Sequence, residues 1–325
     1  MRRVPSHLAR AGARGGDRAL SGALEFARAS RWYGQVIALN DVTTTIAPGV
    51  TGLLGPNGAG KSTFLKLAAG QIRPSQGEVR VLGLPAWGSP ELFHLLGLCP
   101  ETDTFWEGLT GRQFVTALLK LTGYDEAECR ARAEAALHQV DLLEAQDRRI
   151  GGYSKGMRQR VKLAQALAHD PEVLLLDEPV SGMDPVNRRR TIDLVKRLGR
   201  EGKTVVVSSH ILHEVEAMTR RVLLIHNGRI LAEGDVREIR DLMDEHPHTV
   251  SLRARDPRVL ARAVVGAPHI LSLTFGDDGQ WLTVQTARPD EFYGGLHEAA
   301  LEAGVTEMYS PDEDLESVFK YLVAR

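Results

Sequence analysis

The chain has 325 residues, 43% of them hydrophobic, enough to bury one large or two moderate cores. A formal net charge of -2 gives no bulk attraction to nucleic acid, and no apolar run approaches the ~20 residues that span a bilayer, so any membrane role needs a partner. Cys99 and Cys129 form no C-x-x-C pair and read as reduced thiols rather than a disulfide or metal site.

Residues 1–22 carry Arg2, Arg3, Arg10, Arg14 and Arg18 against Asp17 alone. They lack the continuous apolar stretch of a secretory leader and read as a disordered basic tail, with contact to anionic lipid as the minor alternative. Residues 24–50 read as short strands: Leu24 to Ala27 alternates, Val42 to Ile46 is β-branched, and Pro48-Gly49 turns. Val50 to Leu54 is a strand that runs into Gly55-Pro56-Asn57-Gly58-Ala59-Gly60-Lys61-Ser62-Thr63, and helical spacing follows from Ser62 to Ala69, ending at Gly70. A helical pattern covers Thr110 to Leu143, first through Phe114, Leu118, Leu119 and Leu121, then from Ala131. Met157 to His169 is a helix broken by Asp170-Pro171, and Val173 to Leu176 is a strand apolar on both faces. Thr191 to Arg200 is helical, Val205 to Val207 a strand, Leu212 to Met218 helical, and Asn227-Gly228 turns a hairpin. A boundary is expected at Asp241 to Pro247. Beyond it the order is strand (248–253), helix (257–265), strands (270–275 and 281–286), helix (291–303) and strand (305–309), with a last helix over Glu313 to Val323. A βαββαβ order suggests a small ferredoxin-like sandwich.

The chemistry starts at the glycine loop. Gly55, Gly58 and Gly60 free the backbone to turn its N–H groups on an anion, and the helix from Lys61 points its positive end there. Lys61 is then expected to reach the β- and γ-phosphates, with Ser62 on Mg²⁺. The strand–loop–helix context is what this motif requires, and it makes a chance glycine loop a poor rival. Asp177 ends a buried strand, where an unpaired carboxylate would be costly; magnesium resolves the cost. Glu178 follows, and although neighbouring strand side chains point apart, at the strand's end both can face the nucleotide. Glu178 is then placed to polarise the attacking water. A surface acidic pair is the plain alternative.

Asp177-Glu178 together with Tyr153-Ser154-Lys155-Gly156-Met157 resembles the ATP-binding subunit of an ATP-binding cassette (ABC) transporter. The resemblance spans about residues 23–235. It implies an α/β P-loop NTPase fold with a mixed sheet core, an antiparallel β subdomain and a helical subdomain, spanning 23–240, followed by a small α+β ferredoxin-like domain over 246–325. It further implies ATP and Mg²⁺ as ligands. Ser154 and Gly156 are expected to bind the γ-phosphate of ATP held by an opposing subunit, a second copy or a related ATPase. Backbone donors at a helix N-terminus bind anions without a lysine, which agrees with that role. Lys155 and Met157 depart from the usual glycine and glutamine, in the manner of exporter-type subunits. Ser181-Gly182-Met183-Asp184 resembles the D-loop, His210 matches the switch histidine that contacts the γ-phosphate, and Tyr33 matches the aromatic that stacks on adenine, with Trp32 as rival. His210 and His213 lack a third ligand for zinc. Glu101 stands at a usual glutamine that senses Mg²⁺ and couples to the membrane subunit; its charge would either strengthen the metal contact or repel the γ-phosphate. Leu109-Thr110-Gly111 resembles a coupling region. Pro311 with Asp314 to Phe319 resembles the closing segment of bacterial subunits paired with ABC-2-type permeases.

The function so implied is an ATPase, dimerising around two ATP molecules, that powers a separate integral membrane permease for export. It would lie in the cytoplasm on the inner face of the cell membrane, with no nucleic-acid partner. An importer ATPase is the nearest alternative. A soluble ABC ATPase is disfavoured because Ser154 follows Lys61 by only 93 positions, too few for a coiled-coil insertion, and only one cassette is present. A GTPase is disfavoured because no Asn-Lys-x-Asp motif follows.

Overall fold

The computed structural model describes residues 22–236 and 248–310. The basic tail, the expected boundary at Asp241 to Pro247 and the last expected helix from Glu313 lie outside the described residues.

Strands β1 (Leu24–Tyr33), β2 (Val36–Ile46), β4 (Gln76–Val81) and β5 (Leu84–Pro85) form an antiparallel sheet in the order β2-β1-β4-β5. The first two are long where short strands are expected. Register shifts between Phe26 and Trp32, with left-handed Arg28 and Asp41, let one hairpin curl instead of breaking.

The second sheet has the order β10-β9-β3-β8-β7-β6, built from β3 (Gly49–Leu54), β6 (Leu96–Cys99), β7 (Val173–Asp177), β8 (Thr204–Ser209), β9 (Arg221–His226) and β10 (Arg229–Asp235). The pairs β3–β8, β3–β9, β6–β7 and β7–β8 are parallel, and β9–β10 is the antiparallel hairpin. β7 and β8 are buried along their whole length, as their continuous apolar runs require. In such a sheet ligands bind outside the carboxyl ends of the strands, and here those ends lead into Gly55, Asp177-Glu178, Glu101 and His210.

Helix α1 (Lys61–Ala68) joins the two sheets. Its Phe64 is fully buried and stacks on Phe26 of β1, ring centroids 4.0 Å apart, within a core that also holds Leu53, Leu175 and Val206. Burying such a side chain contributes about 2–3 kcal/mol. The other side of the sheet packs against α2 (Gly111–Leu121), α3 (Glu126–Gln139), α4 (Lys155–Leu167) and α5 (Pro185–Arg200) in one core containing Phe114, Leu137, Leu163 and Val195. The helical stretch expected from Thr110 is two helices. Gly123 at φ 90° ends the first, and Asp125 caps the second by accepting from the Glu128 N–H. α5 starts six residues earlier than its apolar spacing suggests, because Asp184 caps it and Pro185 fits its first turn. Helix α6 (Leu212–Glu216) is a single short turn-and-a-half.

Residues 248–310 form a third sheet: β11 (His248–Ala254), β12 (Ile270–Phe275), β13 (Trp281–Thr286) and β14 (Val305–Tyr309). Its order is β12-β13-β11-β14, all antiparallel, with α7 (Pro257–Val264) and α8 (Pro289–Ala303) supplying the helices of a ferredoxin-like βαββαβ sandwich. Its own core gathers Val250, Leu252, Leu260, Leu282, Val284 and Phe292.

Candidate functional site

The glycine loop is set by what surrounds it. Gly58 and Gly60 have φ of 81° and 112°, which side chains disfavour. A Cβ on Gly60 would sit 2.5 Å from the Ala38 carbonyl oxygen, so only glycine fits between the loop and β2. The Asn227-Gly228 turn closes the other side: Gly228 N–H donates to the Ala59 carbonyl at 2.9 Å. Asn57 and Gly58 face solvent, Pro56 and Gly60 are half-buried, and Gly55 and Ala59 are buried.

Lys61 opens α1 and is 7% exposed. Its ammonium folds back on the loop, donating to the carbonyl oxygens of Gly55 at 2.6 Å and Pro56 at 3.2 Å. Burial lowers its pKa, opposed by the charges of Glu178, Asp177 and Glu101. Ser62 and Thr63, next on the helix, are half-buried.

Asp177 and Glu178 are 6% and 7% exposed. Asp177 accepts from the Ser208 hydroxyl at 2.5 Å, from the strand position directly beside it. Glu178 has φ 49°, a left-handed residue that breaks the strand's alternation. Its N–H donates to the same Ser208 oxygen at 3.0 Å, and its carbonyl accepts from Gln159 Nε2 at 3.1 Å. Its carboxylate meets His210 Nδ1 at 2.9 Å. Burial raises the Glu178 pKa; the His210 hydrogen bond and charge, then the Lys61 charge, work against that rise. Lys61, Asp177, Glu178 and His210 therefore converge at the strand ends, as expected from the motifs.

The signature residues lie apart from this buried group. Ser154 is exposed and caps α4, its hydroxyl accepting from the Met157 N–H at 3.3 Å. Gly156 lies against the loop of Gly182 and Met183, the nearest atoms 3.7 Å from where its Cβ would be. Lys155 lays its alkyl chain over Gly182, whose Cβ would lie 2.5 Å from the lysine Cδ. Asp184 is exposed and accepts from the backbone of Val186 and Asn187, bonds that hold its pKa below the ordinary carboxylate range. In this chain its visible work is capping α5.

Glu101 is exposed, and its carbonyl rather than its carboxylate is anchored: Lys162 Nζ donates to it at 2.6 Å while pairing with Asp103 at 2.9 Å. Tyr33 is 44% exposed, with the Arg31 guanidinium 4.8 Å over its ring; Trp32 beside it is 40% exposed. His213 is exposed, while Glu214 next to it is buried against Ser209 and Arg188. Ser208 and Gln159 were not singled out from the sequence. Both bond backbone atoms of Glu178, and Ser208 also the Asp177 carboxylate, contacts that no spacing rule reports.

The residues present fit a magnesium nucleotide. The donor set is oxygen only: the Ser62 hydroxyl and the carboxylate of buried Asp177, which accepts from the Ser208 hydroxyl. Among the described residues no cluster of three His, Cys, Asp or Glu side chains could hold a metal by itself.

Fold and site together define a P-loop ATPase cassette. The ABC transporter family matches residues 39–181. The chain is 35% identical over 297 residues to an uncharacterized ABC transporter ATP-binding protein of Nostoc sp., covering 90% of this chain and 85% of that one. It is 30% identical over 316 residues to the Nod factor export ATP-binding protein I of Rhizobium etli, covering 96% of each. A solved dimeric ATP-binding cassette in a post-hydrolysis state, bound to ADP and Pi, is 25% identical at a TM-score of 0.61, covering 66% of this chain and 99% of that one. The chain belongs to the ABC transporter ATP-binding proteins, and it is an ATPase.

Proposed function

We propose that the chain is the ATP-hydrolysing subunit of an exporter, acting as a dimer on a separate membrane permease. The glycine loop, Gly55 to Thr63, holds the phosphates of ATP, and Lys61 leaves its two carbonyls to meet them. Ser62 and Asp177 hold Mg²⁺, with Glu101 as the further ligand. That ion supplies neutralisation of charge on the phosphates. Glu178 accepts the proton of the attacking water, and His210 holds the carboxylate in place through Nδ1. The products are ADP and inorganic phosphate. Tyr33 takes the adenine ring. Ser154 and Gly156, with Asp184, act on the ATP of the second copy.

The observation that carries this reading is Glu178. A buried carboxylate with a raised pKa, 2.9 Å from a histidine and beside a buried lysine, is built to take a proton at a phosphate site. Glu178→Gln is expected to cut ATP turnover by about 10²–10⁴-fold while ATP binding stays within twofold. Unchanged turnover in purified protein would refute the assignment.

Export is supported by the relative whose name carries it, matched along 96% of both chains. The permease spans the membrane and the chain acts on its cytoplasmic side; among the described residues no helix is long and apolar enough to cross a membrane. Residues 23–240 serve as the ATP-binding domain and 246–325 as an accessory domain; the separate core of the third sheet supports that division.

A further inference from the structure

Glu178 sits in a conformation that persists only where the surroundings enforce it. Two elements do so. From the sheet, the Ser208 hydroxyl accepts its N–H at 3.0 Å and donates to Asp177 at 2.5 Å. From α4, Gln159 Nε2 donates to its carbonyl at 3.1 Å.

These two holds differ in what they are attached to. Ser208 is fully buried in a central strand with Asp177 directly opposite. Gln159 is also buried, at 6% exposure, but it belongs to the helix that Ser154 caps in the open. Five residues of helix separate them, about 7.5 Å. The same helix grips β6 and the loop that follows it twice more. Lys162 Nζ reaches the Glu101 carbonyl at 2.6 Å, and Gln165 Nε2 reaches the Leu98 carbonyl at 2.9 Å. All three contacts end on backbone oxygens. A small shift of α4 is therefore delivered to the peptide of Glu178, to the loop of Glu101 and to the edge strand β6 together, while Ser208 stays in the middle of the sheet.

We propose that Gln159 is a positioning residue that links the signature helix to the general base, so that engagement of Ser154 by one nucleotide tunes hydrolysis at the other. The inference rests on the dimeric reading above. It assigns Gln159 no contact with substrate. It acts by holding the Glu178 peptide, and so its carboxylate, in register with His210.

The test is steady-state ATP hydrolysis by the full chain, read as kcat, KM and Hill coefficient. Wild type is expected to respond sigmoidally to ATP. Gln159→Leu, which keeps volume and removes the donor, should lower kcat about tenfold, leave KM within twofold and bring the Hill coefficient to 1. Gln159→Met, a closer shape match, should do the same and stands in if the leucine variant fails to fold. Ser208→Ala loosens Glu178 from the sheet side and should lower kcat while keeping the Hill coefficient. A Gln159 variant with unchanged kcat, or with lowered kcat and an unchanged Hill coefficient, overturns the link. A wild type with no sigmoidal response overturns the link alone; the dimeric reading fails instead if a mixture of Lys61→Ala and Ser154→Arg regains no activity.

Discussion

Lys61, Asp177 and Glu178 are 7%, 6% and 7% exposed, each bonded to atoms of its own chain, whereas Ser154, Lys155 and Asp184 lie in the open. The first group occupies the ends of buried parallel strands, where the fold leaves little freedom. The second occupies two helix N-termini on the surface, where backbone donors face outward. One group is shaped by packing and charge. The other is shaped by what it can present to a second molecule. The contrast is the one expected under the proposed division of the site between two copies, and it orders the expected effects of substitution.

The largest difference should appear between two glycines. Gly60→Ala forces a left-handed φ of 112° on a side chain and drives its Cβ to 2.5 Å from the Ala38 oxygen. A loss of about 2–4 kcal/mol in unfolding free energy is expected, with loss of ATP binding. Gly156→Ala meets nothing nearer than 3.7 Å and should shift stability by less than about 0.5 kcal/mol, yet still impair turnover. Chemical denaturation of both variants checks the pair. Equal stability losses would erase the contrast.

A smaller effect concerns Glu178 itself. Burial raises its pKa above the ordinary 4.5. A raised carboxyl pKa means that the protonated form suits the fold. The stabilising contribution is complete below the unfolded value and is lost as pH rises through the folded one. Glu178→Gln should therefore raise Tm at pH 7.5, with the gain shrinking as pH falls through the raised folded pKa and gone by about pH 4.5. A Tm gain independent of pH would place its cause elsewhere. No comparable change is expected from Asp184→Asn, since that carboxylate is exposed and held ionised by backbone donors.

Much of this was legible in the sequence, for reasons that differ by residue. The glycine loop, Asp177-Glu178 and His210 were readable because each sits where a strand ends and a motif of fixed spacing begins. The last sheet was readable because its strands alternate and its turns carry glycine or proline. The strands between Gln71 and Cys99 were not legible: β4, β5 and β6 are only two to six residues long and are held by pairing with β1, β4 and β7, which local pattern does not show. The break at Gly123 was hidden because apolar spacing continues on both sides of it. Gln159 and Ser208 were hidden more deeply. They bind backbone atoms of residues 19 and 30 positions away, so only the folded chain reveals them.

The central claim is that the buried half-site of one copy works with the exposed half-site of another. Lys61→Ala disables the first half and Ser154→Arg the second, and each variant alone should be nearly inactive. Mixed together, half of the dimers would pair an intact glycine loop with an intact signature at one of two sites. ATP hydrolysis of the mixture should then rise above the sum of the two variants, to at most roughly a quarter of wild type. A mixture that never exceeds that sum would contradict the account.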